Sequence, residues 1–226
     1  MKYSKEISTY IQEARETWRR LKQRKTAVFG LGTFTVFIVV VIFAPFIAPF
    51  DPYERAGPGF APPSAQFVFG TDDLGRDILS RIIYGSRITL IVGVISVAIA
   101  AILGVLAGIV SGYYGGKFDS IVMRATDIML AFPPILFALL VITVTGHSIY
   151  NLMIAVGITS MPRYARLIRG LVLNVKESDY VEAARAAGSS DLRILFRHIL
   201  PNILPTVIVL STITMPAAVL WAASLS

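Results

Sequence analysis

The sequence contains no cysteine and only two histidines among its 226 residues. The first absence excludes disulfide frameworks, thiolate zinc sites, iron–sulfur clusters and cysteine nucleophiles. The second leaves little from which to build a metal centre or a catalytic triad. Charge is scarce as well: Asp, Glu, Lys and Arg make up 15% of the chain, against about 25% in an ordinary soluble domain. A water-facing surface cannot be assembled from so few charges.

What is abundant is apolar surface. Hydrophobic residues account for 55% of the chain and mean hydropathy is +0.69. The few charges bracket long uncharged runs: Thr26 to Phe50, Ile88 to Gly116, Ile128 to Pro162 (interrupted only by His147) and Ile199 to Ser226. A hydrocarbon core of ~30 Å takes about 20 helical residues, so each run is a candidate membrane span. The first run follows eight basic and three acidic residues. It lies too far along the chain for an ordinary signal peptide and has no small-residue cleavage site, so it reads as a retained anchor. The net charge of +7 could serve nucleic-acid binding, but in a membrane protein a cytoplasmic Lys/Arg excess explains it.

Charge placement decides how the 35-residue run from 128 to 162 is used. As one straight helix it would reach ~53 Å at ~1.5 Å per residue. If it crosses twice, breaking near Gly146 and His147, 17 of the 21 basic residues fall on one side. A single crossing splits them almost evenly, so the positive-inside rule selects two crossings. The expected architecture is therefore an all-α polytopic membrane helix bundle with five transmembrane helices, near 27–49, 88–112, 128–146, 149–168 and 201–223. The N-terminus lies in the cytoplasm. Segment 1–26 is a cytoplasmic amphipathic stretch, with Ile7, Tyr10, Ile11, Ala14, Trp18 and Leu21 at helical spacing. It suits either the membrane surface or a solvated lead-in helix. Residues 50–86 form an extracytoplasmic loop. The last run stops without a polar cap, and the chain reads as cut short.

Several residues stand out within this frame. Arg163, Arg166 and Arg169 lie three apart on one stripe where the fourth span leaves the membrane. They are expected to anchor it among lipid headgroups, in preference to forming an anion site. Gly104, Gly108, Gly112 and Gly116 recur every fourth residue, a pattern that lets helix backbones approach closely. Glycine is also common in spans by default. Pro133-Pro134 and Pro162 are expected to break or kink their helices, either along a translocation pathway or as simple bundle curvature. The loop motif Gly70 to Asp77, GTDDLGRD, looks like a phosphate loop, but Arg76 and Asp77 stand where Lys and Ser/Thr would hold phosphate and magnesium. Two carboxylates would repel the ligand, so no nucleotide site is expected. Asp72 and Asp73 instead precede a short interfacial helix carrying Ile78, Leu79, Ile82 and Ile83.

The most informative segment is the cytoplasmic stretch 172–200. Asp179 followed by Glu182 is a capping-box-like start, Tyr180 to Ala187 suits a short helix, and Gly188 suits its left-handed end. Ser189, Ser190 and Asp191 offer caps for a second helix interrupted at Pro201 and Pro205. A connector lying on the membrane would favour large side chains. Ala183, Ala184, Ala187 and Gly188 beside Glu182 also fit a helix seated in a tight protein groove.

Glu182-Ala183-Ala184, then Gly188, then Leu200-Pro201, resembles the EAA loop of ATP-binding-cassette importer permeases, EAA-x3-G-x9-I-x-LP. His198 stands where the pattern has Ile. With GTDDLGRDILSRIIYGSRITL, DIMLAFPP and PRYARLIRG, nearly the whole chain is similar to the C-type permease subunit of dipeptide, oligopeptide and nickel importers. The resemblance implies a type I ABC importer permease fold over 87–226, normally with a sixth span. It implies a heterodimer with a second permease, two ATP-binding subunits and an extracytoplasmic substrate-binding protein, in the cytoplasmic membrane of a bacterium or archaeon. Tyr180, Val181, Glu182, Ala183, Ala184, Ala187, Gly188, Leu200 and Pro201 would then make the ATPase-coupling loop. The chain itself would hold no cofactor, metal or catalytic residue, and its cargo would be di- or oligopeptides, with nickel or another small solute as the alternative. A secondary transporter would need ionisable groups inside the spans, and an intramembrane protease would need an Asp pair, a Ser–His or Ser–Lys pair or a metal motif. The sequence offers none of these.

Overall fold

The structure is a computed structural model that describes residues 19 and 22–225. The amphipathic N-terminal helix expected over 1–26 lies almost wholly outside the described residues. The described elements are helical throughout: α1 (Lys25–Ile42), α2 (Ala44–Ile47), α3 (Ile78–Tyr114), α4 (Gly116–Ala131), α5 (Pro134–Thr145), α6 (Ile149–Lys176), α7 (Asp179–Ala186), α8 (Asp191–Ile194), a π-helical turn (Leu195–Ile199) and α9 (Leu200–Leu225). They divide into two compact units, Met1–Ile88 and Thr89–Ser226.

In the first unit, α1 fully buries only Val41 and leaves most of its large apolar side chains exposed, as lipid contact requires. The Pro- and Gly-rich segment that follows is irregular but tightly hydrogen-bonded. Thr71 donates to the Pro58 carbonyl at 2.5 Å and accepts from the Ala61 N–H at 2.9 Å. Gly75, at φ +77°, returns the chain so closely that a Cβ would collide with the Gly57 carbonyl, and its own carbonyl accepts from the Ala56 and Gly57 N–H groups. The GTDDLGRD loop closes around its own carboxylate. Asp72 accepts from the Leu74 and Arg76 N–H groups, each at 2.9 Å, from Arg76 Nε at 2.8 Å, and from Arg81. The converging donors of the phosphate-loop look-alike are thus satisfied by an internal anion. These bonds hold the Asp72 carboxyl down to about 2 from an ordinary 3.8; desolvation, the largest single influence, opposes the shift, and the hydrogen bonds together outweigh it.

Asp77 accepts from the Ser80 N–H and hydroxyl at 2.8 and 2.7 Å, and the Ser80 oxygen accepts in turn from the Phe50 N–H at 3.0 Å. This cap starts α3. The expected short interfacial helix and the expected span 88–112 are one helix of 37 residues. Nothing between Ile83 and Ile88 terminates the first: Gly85 is helical, and Ser86 turns its hydroxyl back to the Ile83 carbonyl at 2.6 Å. The irregular part of the expected segment 50–86 therefore ends near residue 77, where α3 begins.

In the second unit α6 is the central element, packed against α4, α5 and α9 and burying twelve residues from Leu152 to Val172. One apolar cluster gathers Tyr164, Ile168, Val172, Val181, Ile194, Ile199 and Ile203. A second gathers Val92, Val97, Ala138, Ile142, Val156, Ala218 and Ala222.

Among the described residues, three helices are long and apolar enough to cross a membrane: α1, α3 and the continuous Asp191–Leu225 stretch. A fourth crossing is reached if α4 and α5, bent by 100° at their break, count as one span. The five continuous spans expected from the runs are corrected accordingly. The expected helix 128–146 is interrupted at Phe132-Pro133, because Phe132 before proline takes an extended conformation and Pro134 restarts a helix as its first residue. The expected helix 149–168 exists but continues to Lys176. It is less apolar than α1 and α3 because it carries Tyr150 and Asn151 at its start and arginines in its second half. Pro162, expected to break or kink its helix, lies inside continuous α6, and α9 likewise runs through Pro205. The wide turn Leu195–Ile199, in which the Leu200 N–H reaches back to the Leu195 carbonyl, stands just before Pro201, where an α-helical N–H would be missing.

Candidate functional site

Helix α7 and the start of α9 bring the motif residues together. The first turn of α7 carries Asp179 and Glu182 and its last turn Arg185, each sign matching the helix dipole. The expected capping box is not formed. Ser178 occupies the cap position, and its hydroxyl donates to the Val175 carbonyl at 2.6 Å. The C-terminus is a Schellman motif: the Gly188 N–H donates to the Arg185 carbonyl and the Ser189 N–H to the Ala184 carbonyl, both at 3.0 Å, with Gly188 at φ +78°. No atom lies within 4 Å of where a Gly188 Cβ would sit. Glycine is demanded here by backbone conformation and not by room.

One face of α7 is fixed and the other is open. Val181 is fully buried against the cluster that holds Ile194 and Ile199. Glu182, Ala183, Ala187 and Gly188 are exposed, Tyr180 is 45% exposed, and Ala184 is half-buried. The outcome is a short, shallow, small-residue ridge with one carboxylate. Leu200 is half-buried and Pro201 exposed in the first turn of α9.

Four residues outside the selected site, Asn202, Tyr113, Asp191 and Arg185, tie this region to the bundle. The Asn202 amide donates to the Tyr180 hydroxyl at 3.1 Å and to the His198 carbonyl at 2.7 Å. The Tyr113 hydroxyl donates to Asp191 Oδ1 at 2.6 Å, and the Arg185 guanidinium lies 6.0 Å over the Tyr113 ring. A polar Asn directly after Leu200-Pro201, at the mouth of an apolar run, was a legible signal. The Tyr113–Asp191 pair, 78 residues apart, left none.

The glycines of α3 are placed unequally. Gly104, Gly108 and Gly112 abut the backbone of α6: a Cβ on Gly108 would stand 2.6 Å from the Ala165 carbonyl oxygen, and one on Gly112 would stand 2.9 Å from that of Arg169. A Cβ on Gly104 would overlap Tyr164 Cβ. Gly116 lies apart from this seam, at φ +62° with nothing near it, as the first residue of α4. The arginine stripe is partnered. Arg163 lies 5.9 Å over Trp221, Arg166 pairs with Asp127, and Arg169 makes a two-pronged bond to Asp119 with both contacts at 2.5 Å. Asp119, Ser120, Met123, Arg124 and Asp127 with the two pairing arginines line an open cleft of about 480 Å³. Among the described residues, no group of three His, Asp or Glu is placed to hold a metal ion.

The bundle is that of a polytopic membrane protein, and comparison with known proteins specifies its kind. Residues 104–226 match the family described as binding-protein-dependent transport system inner membrane component, and residues 13–65 match the N-terminal transmembrane domain of oligopeptide transport permease C. The dipeptide transport system permease protein DppC of Alkalihalophilus pseudofirmus is 42% identical over 219 residues, covering 96% of this chain and 72% of that protein. DppC of Haemophilus influenzae is 41% identical over 217 residues, covering 93% and 74%. The glutathione transport system permease protein GsiD of Escherichia coli O157:H7 is 43% identical over 216 residues, covering 93% and 70%. The chain belongs to the C-type permease family of binding-protein-dependent ABC importers. It is a multi-pass membrane transport subunit.

Proposed function

We propose that this permease carries small peptides inward as one half of a two-permease pathway, and that α7 docks it to an ATPase subunit. The observation that carries the docking reading is the divided surface of α7: Val181 buried in the bundle, and Glu182, Ala183, Ala187 and Gly188 presented outward. A ridge of small side chains fits a groove closely, and its rigid anchoring lets a push on the helix reach the bundle. In this reading closure of the ATPase pair on ATP moves α7 and switches the pathway between inward and outward access. An extracytoplasmic binding protein delivers cargo to the opposite face. The peptide assignment draws on the relatives named for dipeptide and glutathione transport.

In the same reading the N-terminus and α7 are cytoplasmic, because 17 of the 21 basic residues then share that side. Helix α6 is the remaining crossing. Its 28 residues reach about 42 Å, its apolar face is buried against neighbouring helices, and Arg163 and Arg166 in its second half stay exposed.

The test is Glu182→Lys and Gly188→Trp in the reconstituted importer. Both variants are expected to stay in the membrane while ATPase subunits no longer co-purify and dipeptide uptake is lost. Normal subunit recovery and normal uptake in both would overturn the docking assignment.

A further inference from the structure

The coupling helix is gripped at both ends by side chains of other membrane helices. At its C-terminal end Arg185 lies over the Tyr113 ring, and the Tyr113 hydroxyl holds Asp191, the first residue of α8, at 2.6 Å. Tyr113 is the penultimate residue of α3, directly after Gly112, whose carbonyl accepts from Lys176 Nζ at 3.0 Å. At the N-terminal end Asn202, in the first turn of α9, reaches the Tyr180 hydroxyl and the His198 carbonyl, and the Tyr180 and His198 rings lie 6.2 Å apart. Between the two grips lie the fully buried Val181 and the half-buried Ala184.

Burial of Val181 resists removal of the helix, but apolar contact is non-directional and does not fix position along the helix axis. A hydrogen bond with a defined donor and acceptor does, as Asn202 makes to Tyr180; at the other end Arg185 meets the Tyr113 ring face, and the Tyr113 hydroxyl bonds Asp191 just beyond α7. The two grips also lead to different places. Tyr113 leads into α3, whose glycines lie against the α6 backbone, and Asn202 leads into the Asp191–Leu225 helix.

We propose that Tyr113 and Asn202 are the positioning residues that transmit movement of the coupling helix, Tyr113 into α3 through Arg185 and Asp191, and Asn202 into α9 through Tyr180. This rests on the docking role of α7. The end of α3 and the coupling segment then travel as one rigid body throughout the cycle.

The experiment uses the complete importer, with both permeases, both ATPase subunits and the binding protein, in proteoliposomes. Uptake of labelled dialanine and ATP hydrolysis are measured together. Tyr113→Phe and Asn202→Ala are each expected to lower dialanine imported per ATP by about tenfold, within the usual range of coupling between sites, while the ATPase subunits still co-purify. The chain has no cysteine of its own, so the pair Tyr113→Cys with Asp191→Cys can be joined by a short bismaleimide in otherwise cysteine-free subunits. Uptake per ATP should be low before joining and recover after it, an outcome a merely structural role would not produce. Wild-type coupling in both single variants overturns the proposal, and so does a joined pair as defective as the unjoined one. If Tyr113→Phe fails to assemble, the joined pair decides. Failure of the docking reading is distinguishable: Glu182→Lys would then keep its ATPase subunits, whereas failure of this proposal alone leaves Glu182→Lys stripped of them and Tyr113→Phe fully coupled.

Discussion

Replacing Gly108 by alanine adds a single methyl group where α3 and α6 touch through their backbones. The new Cβ would stand 2.6 Å from the Ala165 carbonyl oxygen, 2.9 Å from Ile168 Cβ and 3.0 Å from the Arg169 nitrogen. Ordinary contact begins at 3.4 Å, so the helices must separate by about 0.8 Å there. None of the three neighbours is a side-chain tip that can swing away. Overpacking of a core costs about 1–3 kcal/mol, and the backbone partners place this case at the upper end. Alanine returns about 1 kcal/mol of helix propensity, leaving a net loss of about 2 kcal/mol. Gly170→Ala is the matched control: it lies in α6, is exposed and has nothing within 4 Å, so it keeps only the propensity gain. The two variants should differ by about 3 kcal/mol, or about 6–12 °C in apparent melting temperature at about 2–4 °C per kcal/mol for a chain of this size. The assay is retention of the monodisperse importer peak after heating in detergent. Melting of the two variants within a degree of each other would refute the close-packed seam.

Two further predictions concern the first unit. Asp77→Ala removes the acceptor of both Ser80 bonds at a position 1% exposed, and should cost about 1–2 kcal/mol as a lost N-cap. Amide exchange should rise at Ile78 to Arg81 and stay unchanged in α6, and an unaltered exchange pattern would refute the capping role. The Asp72 loop should be acid-sensitive in a defined window. Its folded value of about 2 lies below the ordinary 3.8, so its contribution is complete above about pH 4 and fades as pH falls through about 2. Pepsin cleavage between residues 56 and 77 should therefore rise steeply between pH 4 and 2 in the native chain. In Asp72→Asn it should be high across the whole window, and equal cleavage profiles would contradict the assignment.

Legibility in the sequence followed the range of the interaction. The α7 motif and the left-handed Gly188 were readable because a helix stop is written within six residues. The Gly104, Gly108 and Gly112 stripe was readable because four-residue spacing is local, but Gly116 shared the spacing and not the helix: the chain turns at Gly115, φ +67°. Charge counting could not show that α6 buries its apolar face in protein, since hydropathy alone does not distinguish a lipid neighbour from a helix neighbour. Nor could it pair Arg169 with Asp119, 50 residues away, or Tyr113 with Asp191. Those contacts exist only once α3, α4 and α6 are packed. The proline rule gave a break at Pro133-Pro134, whereas at Pro162 α6 stays helical with the proline fully buried.

The stretch from Asp191 to Leu225 is a lever. Its 35 residues carry about 52 Å of continuous helix through the π-helical turn, with Asp191 at the α7 end and the apolar run leading away from it. A tilt of about 10° about the Asp191 end would carry the far end through roughly 9 Å, given that length. A small tilt set at the α7 end thereby becomes a displacement the width of a small peptide at the far end, without any element of the bundle having to unfold.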